Sequence, residues 1–318
     1  MPAFCRNSYR KMESAFSAVV VRVSSSGESI PCLDSAIFPD GGPKSGELVQ
    51  IHGESNTGKS LLLHELIARI VLPGNCGGHE TGAVFIDCEN SFNRMMLLSV
   101  MEKYILNLAD PSVAASLTPQ QIGTIQRTAL RRLLLVRCYS LEQYELSLVA
   151  LPDRFLKDGT LSYVLIDSLA TFYWSKCTEQ NLVRMDTFLR TQCKALRKLA
   201  EKWKKTIIFT KPSYFASGGT ARDFEHGSPL DGSVSTQVSS LAGSSSRHMS
   251  ILNEFASSSA SVTIEHRIEL AEMDSPSLRT SSNEGNEEMR FNAFVTTQDK
   301  QYVRFYLIDS FGFNWIEQ

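Results

Sequence analysis

No apolar run in this 318-residue chain approaches the roughly 20 residues that a membrane helix needs, so no membrane partner is expected. The N-terminus lacks a signal-peptide pattern, because Phe16–Val23 is short and interrupted by Ser and Arg. Excess charge is also missing. With 32 basic and 34 acidic residues the net charge is −2, so nucleic acid or acidic lipid must be met by a local patch. The seven cysteines, at positions 5, 32, 76, 88, 138, 177 and 193, are odd in number and never form C-x-x-C. That pattern argues against a zinc ribbon and a disulfide framework, and fits a reducing compartment, cytosol or nucleus. The six histidines show no metal-ligand spacing. What remains is 42% hydrophobic and 21% charged, the balance of a globular protein with one large or two modest domains.

Residues 1–45 are irregular, punctuated by Ser24-Ser25-Ser26-Gly27 and Gly41-Gly42-Pro43, and read as a short lead-in. From Gly46 to about Ser213, strands and helices alternate. Strands are expected at Leu48–His52, Ala83–Asp87, Leu133–Cys138, Leu161–Ile166 and Thr206–Thr210. Helices are expected at Ser60–Leu72, stopped by Pro73, at Phe92–Leu108, and at Asn181–Lys204. Two further helices should start at capping boxes, Thr118-Pro119-Gln120-Gln121 and Ser140-Leu141-Glu142-Gln143. Five near-continuous apolar strands separated by helices predict an α/β fold with a mainly parallel sheet covered on both faces.

The texture then changes. Residues 213–261 are rich in Ser and Gly and poor in large apolar groups, a composition that predicts disorder, as does 274–288. Val262–Leu270 alternates apolar and polar residues, and Arg290–Thr297 with Tyr302–Ile308 reads as a hairpin across Gln298–Gln301. Three antiparallel strands would extend the sheet edge. The expected organisation is a lead-in over 1–45 and one domain over 46–318.

Gly53-Glu54-Ser55-Asn56-Thr57-Gly58-Lys59-Ser60 fits G-x-x-x-x-G-K-[ST] in full. Glycines let the backbone curl so that N–H groups point at phosphate oxygens, and the helix that follows adds its N-terminal partial charge. Lys59 would reach the β- and γ-phosphates, and the Ser60 hydroxyl would bind Mg²⁺. An apolar strand before the loop and an amphipathic helix after it supply the context that a chance Gly-rich turn lacks. The strand ending at Asp167 offers a carboxylate for the Mg²⁺ shell, although an Asp after a strand can also be a plain turn or cap. Phe85-Ile86-Asp87-Cys88-Glu89 ends a second strand with two carboxylates. Glu89 is the candidate to orient the attacking water; the alternative is a solvated loop acid.

Loop, D-x-E strand and a later strand ending in Asp167-Ser168 together resemble the ATPase core of RecA-type recombinases over roughly residues 45–215. The closing Phe305–Gly312 stretch is similar to their final strand and turn. This resemblance implies a RecA-like P-loop core that binds ATP and Mg²⁺ through Gly53–Ser60 and Asp167, with Glu89 at the catalytic glutamate position. It further implies a nuclear recombinase paralogue acting in homologous-recombination repair of double-strand breaks. Such a paralogue works in a heteromeric complex with other recombinase paralogues, assisting recombinase loading on single-stranded DNA. One departure stands out: Ser213 occupies the place of the family's γ-phosphate-sensing Gln, with Lys211 nearby, read as an exposed post-strand lysine.

Tyr173-Trp174 could stack on a base, but packing or partner contact fits better; the basic run on the long helix reads as a solvated face rather than a phosphate track. Three functional readings follow. The first is an ATP-binding recombination mediator with weak or partner-dependent, DNA-stimulated hydrolysis. The second is a nucleotide-independent scaffold of the repair complex. The third is a P-loop small-molecule kinase, disfavoured because the Ser-rich insert carries no arginine-rich lid.

Overall fold

The computed structural model describes residues 33–39, 41–108, 117–177, 183–213, 262–273, 290–297, 300–309 and 312–316. Of the stretches expected to be disordered, 213–261 lies outside the described residues apart from Ser213, and 274–288 lies outside them entirely.

β1 (Leu48–Gly53) is buried throughout except at His52, so its apolar residues Leu48, Val49 and Ile51 fill both faces rather than alternating. The phosphate-loop residues then lead into α1 (Lys59–Val71), which puts Leu62, Leu63, Leu66, Ile67 and Ile70 into the core. It ends where Pro73 forces Leu72 into an extended backbone, φ −64° and ψ 150°. A single 3₁₀ turn, Gly74–Cys76, precedes β2 (Gly82–Asp87), buried at every position. α2 (Arg94–Leu108) follows. α3 (Pro119–Leu130) starts at Thr118 with both arms of the capping box made and proline at the first turn.

β3 (Leu133–Arg137) leads to α4 (Leu141–Lys157). Its Ser140 cap accepts from Gln143 N–H at 3.3 Å, whereas the Gln143 side chain takes the Tyr139 N–H at 2.8 Å. β4 (Leu161–Asp167), the single turn α5 (Tyr173–Lys176), α6 (Met185–Trp203) and β5 (Thr206–Pro212) complete the alternating half. Four strands close the chain: β6 (His266–Glu272), β7 (Arg290–Thr297), β8 (Lys300–Asp309) and β9 (Gly312–Ile316).

The nine strands of the described residues share one sheet, in the order β3-β2-β4-β5-β1-β6-β7-β8-β9. Strands β1 to β6 pair in parallel, and β6 to β9 pair antiparallel. The expected mainly parallel sheet with antiparallel C-terminal strands is therefore present, with three differences. β6 is not a wholly antiparallel member, because it pairs parallel to β1 and only its other edge meets β7. It also starts at His266 rather than Val262. β9 was not anticipated: Gly312–Ile316 is only five residues long, and Phe313 stacks on Tyr306, 4.1 Å between centroids.

Two cores flank the sheet. β2 shows the division, sending Ala83 and Phe85 to the layer under α1, α2 and α3, and Val84 and Ile86 to the layer under α4 and α6. Leu33, Ile37 and Phe38, from the end of the lead-in, are fully buried in the first core. Each such side chain contributes on the order of 1.5–3 kcal/mol on leaving water, so this segment is bound to the body of the fold.

Candidate functional site

The loop between β1 and α1 turns through left-handed backbone at Asn56 (φ 65°) and Gly58 (φ 83°). Gly53 has no alternative, because a Cβ there would stand 2.4 Å from the Leu270 carbonyl of β6 and 2.7 Å from Thr57 Oγ1. The loop is closed internally by Thr57 Oγ1 donating to the Glu54 carbonyl at 2.9 Å. Lys59 Nζ donates to the carbonyls of Gly53 (3.1 Å) and Glu54 (2.5 Å). Partial burial lowers the proton affinity of Lys59, while the charges of Glu89 and Asp167 oppose that shift. From β8, Tyr306 donates its hydroxyl to the Thr57 carbonyl.

Asp167 ends β4 at 1% exposure and is saturated with hydroxyl donors. Ser60 Oγ (2.6 Å) and Ser91 Oγ (2.8 Å) donate to its Oδ2, and Thr210 Oγ1 (2.5 Å) to its Oδ1. The two groups expected to serve Mg²⁺, Ser60 and Asp167, are thus adjacent. An all-oxygen pair of this kind, one anionic, is the donor chemistry that a hard divalent cation takes.

The two carboxylates of D-x-E have different surroundings. Asp87 is buried and accepts the N–H groups of Ser91 (3.0 Å) and Phe92 (3.3 Å), with Arg137 Nε 3.9 Å away. It shapes the loop after β2. Glu89 is exposed, on the side of the sheet end that carries Asp167, and its Oε1 accepts from Ser168 Oγ at 2.7 Å. Its own N–H bonds to the Asp167 carbonyl at 3.1 Å. Side chain and main chain of Glu89 are both referenced to the end of β4.

Several groups at this site were not read from the sequence. Thr210 and Ser91 carry no motif, although a threonine closing the apolar run of β5 was a usable signal. His64, 2% exposed, takes the Asn93 N–H at Nε2 (3.2 Å) and meets the Ser60 carbonyl at Nδ1 (2.6 Å). A carbonyl only accepts and an amide N–H only donates, so His64 is neutral with its proton on Nδ1. Burial holds its pKa below the ordinary histidine value, which agrees. It ties the start of α1 to the loop carrying Glu89 and Ser91.

Ser213 donates its N–H to the Gly53 carbonyl at 3.1 Å, while its hydroxyl is buried without a hydrogen-bond partner. Lys211 is half-buried rather than exposed. Burial lowers its pKa, and Cys193, Arg267, Asp186 and Glu269 surround it, so it faces α6 and β6. Tyr173 packs by bonding the Val183 carbonyl at 2.8 Å, whereas Trp174 is 69% exposed. Within the basic run of α6, Arg197 is a structural group. It holds Glu265 by two bonds of 2.7 and 2.6 Å and reaches the Gly46 carbonyl at 3.2 Å.

A mainly parallel sheet with a phosphate loop after its central first strand, and an acid ending the strand one place removed, is the RecA-like architecture. The chain belongs to the Rad51 family, whose model matches residues 20–242. It is similar to the DNA repair protein XRCC2 of Mus musculus, 26% identical over 65% of this chain and 71% of that protein. It is also similar to the DNA repair protein RAD51 of Mycosarcoma maydis, 25% identical over 63% of this chain. The DNA repair protein RAD51 homolog 2 of Homo sapiens is 25% identical over 64% of this chain. The chain spans only about half the length of these last two relatives, 54% and 50%. Among the described residues no helix is long and apolar enough to cross a membrane.

Proposed function

We propose that the chain is an ATP-binding recombinase paralogue of homologous-recombination repair. It works in the nucleus within a hetero-oligomer of paralogues that assists recombinase loading on single-stranded DNA. Residues 46–318 form its ATPase domain. The observation that carries the reading is the convergence of Lys59, Ser60, Asp167 and Glu89 at one end of the sheet. Their mutual placement is one that phosphoryl transfer requires.

Ser60 and Asp167 would hold Mg²⁺, and Gly53–Ser60 would hold the triphosphate. When bound, Mg²⁺ neutralises charge on the β- and γ-phosphate oxygens. Lys59 supplies a second cation there; burial lowers its pKa, and the charges of Glu89 and Asp167 oppose that shift. Glu89, exposed and clamped by Ser168, orients a water toward the terminal phosphoryl group. No arginine of this chain contributes to the described site contacts at the loop. A neighbouring subunit supplies that charge in the proposed mechanism, so turnover is weak alone and rises with partners and DNA.

The test is ATP binding and turnover by the purified chain, alone and co-expressed with paralogues, with and without single-stranded DNA, alongside Lys59→Ala. Binding to the assembled complex that Lys59→Ala abolishes is expected. Wild-type repair function and nucleotide-independent assembly in the Lys59→Ala chain would replace this reading with that of a scaffold.

A further inference from the structure

His64 is buried in α1 among Leu62, Leu63 and Leu66, at 2% exposure, and the mechanism above does not use it. Both of its ring nitrogens are engaged by main chain, and by main chain of different elements. Nδ1 donates to the Ser60 carbonyl one turn back in α1 at 2.6 Å, and Nε2 accepts the Asn93 N–H at 3.2 Å. The ring also stacks on Phe92, 5.5 Å between centroids and 15° from parallel.

Asn93 is the point at which the Glu89 loop turns into α2. Its side-chain oxygen accepts the N–H groups of Met95 and Met96 at 3.0 and 3.1 Å, and its carbonyl accepts the Leu97 N–H at 3.1 Å. Three consecutive loop amides are thus held by side chains: Asp87 takes those of Ser91 and Phe92, and His64 takes that of Asn93. Asp87 belongs to β2, the loop's own strand. The Ser91 hydroxyl and the Glu89 N–H refer the loop to Asp167 at the end of β4. His64 refers it to the helix that begins with Lys59 and Ser60. A leucine at this position would fill the core and hold none of the loop.

We infer that His64 is a positioning residue that keeps the Glu89 loop in register with the phosphate-binding end of α1. Glu89 can aim a water at a terminal phosphoryl group only while its loop and the phosphate loop keep a fixed spacing, and a misplacement of about 1 Å can cost on the order of a hundredfold in rate. The consequence for turnover rests on the ATPase reading; the anchoring itself does not.

Two substitutions divide the bridge. An asparagine amide nitrogen falls near the place of Nδ1, so His64→Asn keeps the Ser60 bond and cannot reach Asn93. A glutamine amide oxygen can take the place of Nε2, so His64→Gln keeps the Asn93 bond. Amide-resolved hydrogen exchange on the folded full-length chain, without nucleotide, reads the anchoring. The Asn93 amide should be protected in the native chain and in His64→Gln, and should exchange about tenfold or more faster in His64→Asn. ATP turnover by the assembled paralogue complex reads the consequence. His64→Asn should lower kcat by about tenfold or more with KM unchanged, and His64→Gln should restore it. An unprotected Asn93 amide in the native chain would overturn the inference, even if His64→Asn folds poorly. So would an equal fall of kcat in both variants, in step with their melting midpoints, which is the mark of a space-filler. Failure of the complex to bind nucleotide would instead sink the ATPase reading and leave the exchange result to decide for His64.

Discussion

Tyr306 on β8 donates its hydroxyl to the Thr57 carbonyl over 2.7 Å, in a buried contact between positions 249 residues apart. The final antiparallel strands therefore brace the phosphate loop. Tyr306→Phe leaves that carbonyl without its donor at a cost of about 1–2 kcal/mol. Thermal melts should show the loss, and nucleotide affinity should fall with it.

Gly53→Ala tests the closeness of β1 and β6. The added methyl would meet the Leu270 carbonyl at 2.4 Å, and backbone cannot swing aside as a side-chain end can. Overpacking of this kind costs about 1–3 kcal/mol or more. Urea denaturation should register a lower midpoint, and nucleotide binding should weaken even where the fold survives.

Asp167→Asn keeps the shape of the side chain, and the three hydroxyls around it can rotate to suit an amide. The variant should fold, yet lose its charge toward a divalent cation. Titrating nucleotide with and without magnesium should show the magnesium-dependent gain in affinity reduced by about tenfold or more. An unchanged gain would remove Asp167 from the metal site.

Glu65 predicts a pH effect. Burial raises its pKa above the ordinary carboxylate value, although Lys103, 3.4 Å away, opposes the shift. The native state thus binds its proton more tightly than the unfolded chain does. The stability it contributes is complete below the unfolded pKa and is lost as pH rises through the native one. Glu65→Gln should flatten the fall of stability in denaturant melts taken upward from about pH 5.

Arg197 and Glu265 form a two-bond ion pair with little solvent on either side chain, 14% and 15%. Arg197→Ala strands Glu265, which also holds the Leu48 N–H at 2.9 Å, and should destabilise by about 2–4 kcal/mol. Ala substitution at Lys202, exposed on the same helix, should leave the melting midpoint within error.

Legibility followed periodicity and local chemistry. The parallel strands were readable from apolar runs, which complete burial writes in β2 at Val84–Ile86, while part-buried β3 still carries Leu133–Val136 in a row. Thr118 was readable because a capping box is local. Strand β9 was not, since five residues are too few to establish a period, and Phe313 and Trp315 find their partner in Tyr306 only in the folded chain. At the site, the loop and the strand-end acid were readable from their spacing. Glu89 was singled out from its place past the strand end, whereas the part Asp87 plays in shaping the loop was not readable, because it lies in the N–H groups of Ser91 and Phe92 folded back onto it. His64 sat unremarked in an apolar helix stripe, its partners lying at Ser60 and Asn93 in the folded chain.

The placement of β6 beside β1 has a last consequence. The pocket floor is built from two stretches, one ending at Ser213 and one beginning at Val262, joined by a full strand ladder and by the Tyr306 contact. A protease cutting between them would sever the covalent thread without removing the hydrogen bonds that unite the halves. The molecule should accordingly behave as a natural split protein, its two fragments co-purifying and reconstituting one another.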